Sequence, residues 1–174
     1  EADVVICQLE TPVATVFAAL TAARRLNKTV ILNPAPVAGP LPVQWLPLID
    51  YLIPNELEAA TLTGLPIGSP QDALVAAQAL AAQGARNVLI TLGAAGVVAA
   101  FGGEPVHLPA PRVAAIDTTA AGDTFIGAFA AQLALGASTD AALRFAQRAA
   151  AISVTRAGAQ PSIPTRAELD SAAC

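Results

Sequence analysis

Four short apolar runs alternating with helix-like stretches constrain this chain more than any other feature. Val4-Val5-Ile6-Cys7, Thr29-Val30-Ile31-Leu32, Tyr51-Leu52-Ile53 and Asn87 to Leu92 are continuous rather than alternating, as in strands buried on both faces of a parallel sheet. Pro12 opens the first helical stretch, in which Val13, Val16, Phe17, Leu20 and Ala23 recur at helical spacing and Arg24 and Arg25 close the end, where cations suit the helix dipole. The opening is therefore a βαβ unit with a right-handed crossover. Asn55 to Thr63, stopped by Gly64, and Pro70 to Gln83, stopped by Gly84, read as two further helices. Pro34, Pro36, Pro40, Pro42 and Pro47 predict a stiff loop without regular helix over 34–47. Gly96 to Phe101, the pair Gly102-Gly103, and Pro105 to Leu108 read as a hairpin with a tight glycine turn. From Ala121 the pattern is helical to Gly136, resumes after the capping cluster Ser138-Thr139-Asp140, runs to about Thr155, and starts again near Thr165. The whole predicts an α/β fold, an open and mostly parallel sheet flanked by helices, as a single domain over residues 1–174.

Composition narrows the function. Apolar residues make up 55% of the chain and mean hydropathy is +0.58, yet the excess is mostly alanine and no window approaches the ~20 apolar residues of a membrane span. A membrane partner is not expected. A formal net charge of −4, without a run of Lys or Arg, removes the field that would draw in nucleic acid. Two cysteines, Cys7 and Cys174, make neither a disulfide framework nor a zinc cluster, which suits a reducing cytoplasm. With no methionine and a strand starting almost at once after Glu1, the chain reads as entered in its middle.

In open α/β sheets ligands bind beyond the carboxyl ends of the strands, so the polar and glycine-rich clusters there carry the chemistry. Asp117-Thr118-Thr119-Ala120-Ala121-Gly122-Asp123 is the most informative. Its small residues let amides at a helix start approach an anion such as a transferring phosphoryl group, and Asp123 beside them could take a proton from an attacking hydroxyl. The plain alternative is an acidic helix cap. Thr91-Leu92-Gly93-Ala94-Ala95-Gly96 lacks the Gly-Lys-Ser/Thr ending of a P-loop and could be a simple turn. Asn55 to Glu58 is either a capping box or a magnesium site in which Glu58 acts through water. Thr155 to Ser162 is the fourth cluster. His107, the one histidine, falls in the hairpin away from all four and reads as structural; Trp45 and Tyr51 read as packing beside the proline-rich loop.

These clusters, in this order, resemble the PfkB carbohydrate-kinase family, of the ribokinase type. Asp117 to Phe125 resembles that family's C-terminal signature; Ile31 to Pro36, Pro54-Asn55-Glu56 with Glu58, Leu89 to Gly93 with Gly96-Val97, and Val154 to Ser162 resemble further segments. The resemblance implies that Asp123 is the catalytic base on a sugar hydroxyl, with the Ala121 and Gly122 amides completing an anion hole. It implies that Asn55 and Glu58 organise Mg2+ and the ATP phosphates, that Thr91, Gly93 and Gly96 lie along ATP, and that Gln147 approaches the adenosine. It also implies a K+ site formed by Asp117, Thr119, Ser153, Arg156, Gly158 and Ser162, with Arg156 serving through its carbonyl. The activity so implied is transfer of the ATP γ-phosphate to a sugar primary hydroxyl, with D-ribose as acceptor. Family members also carry an N-terminal portion that contacts the sugar and a β-sheet lid through which they form homodimers. Neither is found in this sequence, so the expectation is the nucleotide-binding and catalytic-base half of such an enzyme. The other expectations are a non-catalytic nucleotide-binding module, and a related kinase for another sugar or a nucleoside.

Overall fold

The computed structural model describes residues 2–171; Cys174 lies outside them. The chain divides into two compact units, Glu1–Pro109 and Ala110–Cys174.

The first unit holds a six-stranded sheet in sequential order: β1 (Val4–Cys7), β2 (Thr29–Leu32), β3 (Tyr51–Leu52), β4 (Val88–Thr91), β5 (Val97–Ala100) and β6 (Val106–Leu108). The first four strands are mutually parallel; β5 alone runs the other way, and β6, paired antiparallel with it, again runs with the first four, so the sheet is mostly parallel, as expected. Three helices join the strands: α1 (Val13–Arg25), α2 (Glu56–Thr63) and α3 (Pro70–Ala82). Their ends follow local chemistry. Ser69 caps α3 through the Asp72 N–H ahead of Pro70, and α2 stops at Gly64 with φ 72°, a left-handed conformation that costs glycine no Cβ clash.

Val16 and Leu20 of α1, Ala59 and Leu62 of α2, and Ala73, Ala77 and Leu80 of α3 pack with Val30, Leu32, Leu52, Val88, Ile90 and Val98 in one core. Alanine on the helices matters here, because small side chains let a helix lie close on a sheet of Val, Ile and Leu. Ile31, Leu89, Val97 and Ala99, the alternate residues of these strands, are also buried. That two-sided burial is why β2 and β4 read as unbroken apolar runs; β1, expected to be buried in the same way, lies at the sheet edge with Ile6 44% exposed.

Two local expectations change. Residues Val43–Leu48 form a 3-10 helix with Pro47 inside it, where the prolines predict no helix. A short turn with i to i+3 bonds loses little to missing donors, and here the Trp45 N–H bonds the Pro42 carbonyl at 2.9 Å. Trp45 is buried by that turn and stacks on Phe17, ring centroids 5.9 Å apart, which is the packing role expected for it. The β5–β6 connection is also wider than a two-residue turn, running from Phe101 to Pro105, and only Gly102 of the glycine pair has positive φ, at 72°.

The second unit contains α4 (Ala121–Ala134), α5 (Thr139–Ser153), a 3-10 turn (Gln160–Ser162) and α6 (Arg166–Ser171). Ser138 caps α5 as expected, accepting the Ala141 N–H. Phe145 and Ala149 of α5 pack with Leu169 of α6. The guanidinium of Arg166 lies 5.2 Å from the centre of the Phe145 ring.

Candidate functional site

In the first unit the sheet brings two of the clusters together. Asn55 follows β3 and bridges in parallel to Thr91 at the end of β4, and the Thr91 N–H bonds the Pro54 carbonyl at 3.0 Å. Both lie at carboxyl ends of neighbouring parallel strands, where such sheets bind ligands.

Asn55 and Glu58 form a complete capping box. The Asn55 side-chain oxygen accepts the Glu58 N–H at 2.9 Å, and Glu58 Oε2 accepts the Asn55 N–H at 2.9 Å. Glu58 Oε1 accepts the Asn55 side-chain amide at 2.9 Å, and Asn33, after β2, donates to Oε2 at 3.4 Å. Burial pushes the Glu58 carboxyl up from its ordinary value, opposed by the Asn55 N–H and by Asn33. The structural and functional roles are compatible. A carboxylate held on both oxygens by the helix start cannot swing freely, which fits the water-mediated Mg2+ contact expected of it. Asn33 belongs to this cluster, although its place there depends on β2–β3 pairing that no local pattern reveals.

The Thr91–Gly96 loop makes a short 3-10 turn (Gly93–Ala95) that closes on itself. The Leu92 N–H bonds the Gly96 carbonyl at 2.8 Å, and the Ala95 N–H bonds the Leu92 carbonyl at 2.9 Å. Gly93 (φ 51°) and Gly96 (φ 102°, ψ −131°) both occupy glycine-favouring conformations, so these glycines are required by the turn itself. His107, expected to lie away from all the clusters, instead contacts this one. Its Nε2 is 2.6 Å from the Ala95 carbonyl. The sequence hides this contact because β6 reaches the loop only through pairing of His107 with Val98.

In the second unit the Asp117–Asp123 segment leads into α4 through Ala120, a non-glycine residue at φ 58°. The Ala121 N–H donates to the Thr118 carbonyl at 3.2 Å, and the Thr124 N–H to Ala120 at 2.8 Å. Among the described residues the amides of Gly122 and Asp123 have no partner, and neither does the Asp123 carboxylate. Of the two amides expected to form an anion hole, Gly122 is thus the more available and Ala121 is partly engaged. Asp123 is exposed in the first turn of α4, where its charge complements the helix start, and its side chain makes no capping hydrogen bond. It stands at the rim of a cleft of about 360 Å3, walled by Ala128 of α4, Phe145 of α5 and Leu169 of α6.

The residues expected to hold a monovalent cation divide into tied and merely neighbouring ones. Asp117 Oδ1 accepts the Thr119 hydroxyl at 2.6 Å and the Thr119 N–H at 2.9 Å, and Oδ2 accepts the Gly158 N–H at 2.8 Å. The Ile116 and Asp117 amides both donate to the Val154 carbonyl, next to Ser153. Asp117, Thr119, Ser153 and Gly158 are therefore held in one structure. Ser162 is buried and donates to the Ala159 carbonyl at 2.7 Å, and the Arg156 guanidinium pairs with Glu168 at 2.6 Å, leaving its own carbonyl for other work. Gln147 lies half-buried on α5, upstream of Ser153. Among the described residues no group of three His, Cys, Asp or Glu side chains could hold a metal ion.

Two carboxyls here are strongly acidic. The Thr119 hydroxyl, then the Gly158 and Thr119 N–H groups, hold Asp117 down from 3.8 to about 2. Arg156, then the Thr165 N–H and hydroxyl, hold Glu168 down from 4.5 to about 2. A carboxyl with a depressed folded value contributes stability that is complete above its unfolded value and lost as pH falls through the folded one. The contribution of these two groups to the urea midpoint should therefore be constant above about pH 5 and fall between about pH 4.5 and 2, while the raised Glu58 carboxyl acts in the opposite sense. A double variant, Asp117→Asn with Glu168→Gln, should start lower and fall less over that window; parallel curves would show that these two groups do not drive the acid loss.

A family model for pfkB family carbohydrate kinases matches residues 2–166. The chain belongs to the pfkB carbohydrate-kinase family. This pfkB chain is 48% identical over 168 residues to a ribokinase of Haemophilus influenzae, across 97% of the chain and 55% of that protein. It is 36% identical over 163 residues to a deoxyribokinase of Salmonella typhi, across 94% of the chain and 53% of that protein. Its fold matches the Arabidopsis thaliana ribokinase structure complexed with ribose and ATP, with a TM-score of 0.88 and 35% identity, over 98% of the chain and 55% of that structure. The chain thus spans about half the length of the curated relatives it matches. No helix among the described residues is long and apolar enough to cross a membrane.

Proposed function

We propose that this pfkB chain is the nucleotide-binding and catalytic-base portion of a cytoplasmic kinase that transfers the γ-phosphate of ATP to the primary hydroxyl of D-ribose. Asp123 carries the reading: an unpartnered carboxylate at a helix start, next to the free amides of Gly122 and Asp123. The carboxylate takes the proton of the sugar hydroxyl as its oxygen bonds to the γ-phosphorus, and the bond from that phosphorus to the bridging oxygen of ADP breaks. The products are ADP, ribose 5-phosphate and protonated Asp123. Amides with no intrahelical partner, aided by the helix dipole, stabilise charge on the transferring group.

In this proposal Asn55 and Glu58 orient water on Mg2+, whose charge offsets that of the phosphates. The turn containing Thr91, Gly93 and Gly96 lies along ATP, and Gln147 serves its adenosine end. Asp117, Thr119, Ser153, Arg156, Gly158 and Ser162 hold K+, adding positive charge to the segment that leads into α4. A second acceptor, 2-deoxyribose, is favoured by the identity to a deoxyribokinase.

Calorimetry of this chain with Mg-ATP tests the nucleotide half of the proposal. Saturable binding at a stoichiometry near one, weakened by Gly96→Val, is the expected result; heats indistinguishable from dilution would reject it. A coupled assay on ribose and 2-deoxyribose, with residues 1–174 grafted in place of the matching segment of a ribokinase, then separates kinase from binding module, since binding without turnover of either sugar favours the module.

A further inference from the structure

We infer that His107 is a positioning residue that holds the Gly93–Gly96 turn in its ligand-binding shape. The inference rests on the proposal that this turn lies along ATP. His107 sits on β6, opposite Val98, so its ring comes from the strand next to the one that the turn enters. A carbonyl can only accept, so the 2.6 Å contact requires that Nε2 carry the proton and donate to the Ala95 oxygen. That bond completes a restraint on both sides of one residue, because the Ala95 N–H is already tied to the Leu92 carbonyl at 2.9 Å.

The turn needs such a restraint. Gly93 and Gly96 have the largest backbone freedom to lose on ordering, and Gly93, Ala94 and Ala95 are all exposed, with no core packing to hold them. A side chain anchored in the sheet and bonded to the turn's outer carbonyl reduces the ordering that a ligand would otherwise have to supply. His107 touches no reacting atom; its effect should appear in affinity.

The test compares the wild-type chain with His107→Ala and His107→Gln, whose amide can still donate to a carbonyl. Mg-ATP titration should show about five-fold weaker binding for His107→Ala, the loss of one net hydrogen bond, and recovery to within about two-fold of wild type for His107→Gln. Hydrogen exchange without nucleotide should show faster exchange at the Ala95 and Gly96 amides in His107→Ala alone, at an unchanged thermal midpoint. Equal ATP affinity in all three, or unchanged exchange at these amides, would overturn the inference. If the wild-type chain binds no ATP, the nucleotide proposal fails by itself, and the exchange comparison still decides whether His107 holds the turn.

Discussion

Asp123→Asn should lower the turnover number for ribose by about 10^2 to 10^4-fold, the range a positioned general base contributes, with Mg-ATP affinity within about two-fold of wild type. The effect is large because the described residues supply no other carboxylate at this helix start, and amide nitrogen does not take up the proton of an alcohol. Affinity is spared because the free amide of Gly122 belongs to the backbone and survives the substitution. Turnover should be measured with residues 1–174 grafted in place of the matching segment of a ribokinase, so that the acceptor side is supplied. A variant that keeps more than a tenth of wild-type turnover would remove Asp123 from the proton transfer and return it to the role of a dipole-complementing residue. A variant that loses ATP binding as well would place the carboxylate in ground-state binding, since interactions made only in the transition state leave affinity unchanged.

The second large effect is on stability and concerns Asp50, just before β3. Its Oδ1 accepts from Arg24 at the end of α1 at 2.8 Å and from Arg86 at 3.1 Å, and its Oδ2 accepts the Val30 N–H of β2 at 2.9 Å. Its own carbonyl accepts the Asn87 side chain at 2.8 Å. Asp50→Ala removes the acceptor for all three donors at a side chain only 19% exposed. The Arg86 arm, itself half exposed, adds little after solvent screening; most of the loss comes from the Val30 amide and Arg24. We expect a destabilisation of about 2 kcal/mol, which for a unit of this size lowers the melting midpoint by on the order of 10 °C. Asp50→Asn, which keeps one acceptor oxygen, should lose about half as much. A shift for Asp50→Ala smaller than about 2 °C would mean that the three donors find water without penalty.

Most element boundaries were legible because they are made by adjacent residues. Asn55 and Glu58 cap α2 across three positions, Gly64 ends it, and Pro70 and Ser138 mark the openings of α3 and α5. Such devices involve little beyond their own turn, so reading them requires no tertiary structure. The central strands β2 and β4 were legible for a similar reason, since two-sided burial leaves no polar alternation to confuse them. The α/β class followed, and the family match bears it out.

What stayed hidden depends on partners distant in sequence. Asp50 reads as one acidic residue among others until the packing of α1, β2 and the start of β4 brings Arg24, Val30 and Arg86 around it. The Asp117–Gly158 bond spans 41 positions, and Asn33 reaches Glu58 across 25. His107 looked isolated because its partner is a backbone carbonyl, which every residue offers and no sequence pattern marks. The 3-10 turn at Val43–Leu48 is hidden for a different reason: proline is a barrier to α-helix, yet a turn this short needs few amide donors.

Ala120 has one more consequence. Only two non-glycine residues among those described have positive φ; one is Asn27, whose side chain tolerates that region, and the other is Ala120 at 58°, immediately before α4. For alanine this conformation costs about 1 kcal/mol that glycine would not incur. Yet glycine would also widen the range of directions from which the chain could enter α4, and with it the aim of the two free amides and of Asp123. A methyl group in an uncomfortable place thus narrows the entry into α4: the fold gives up some stability there in exchange for a single direction of approach.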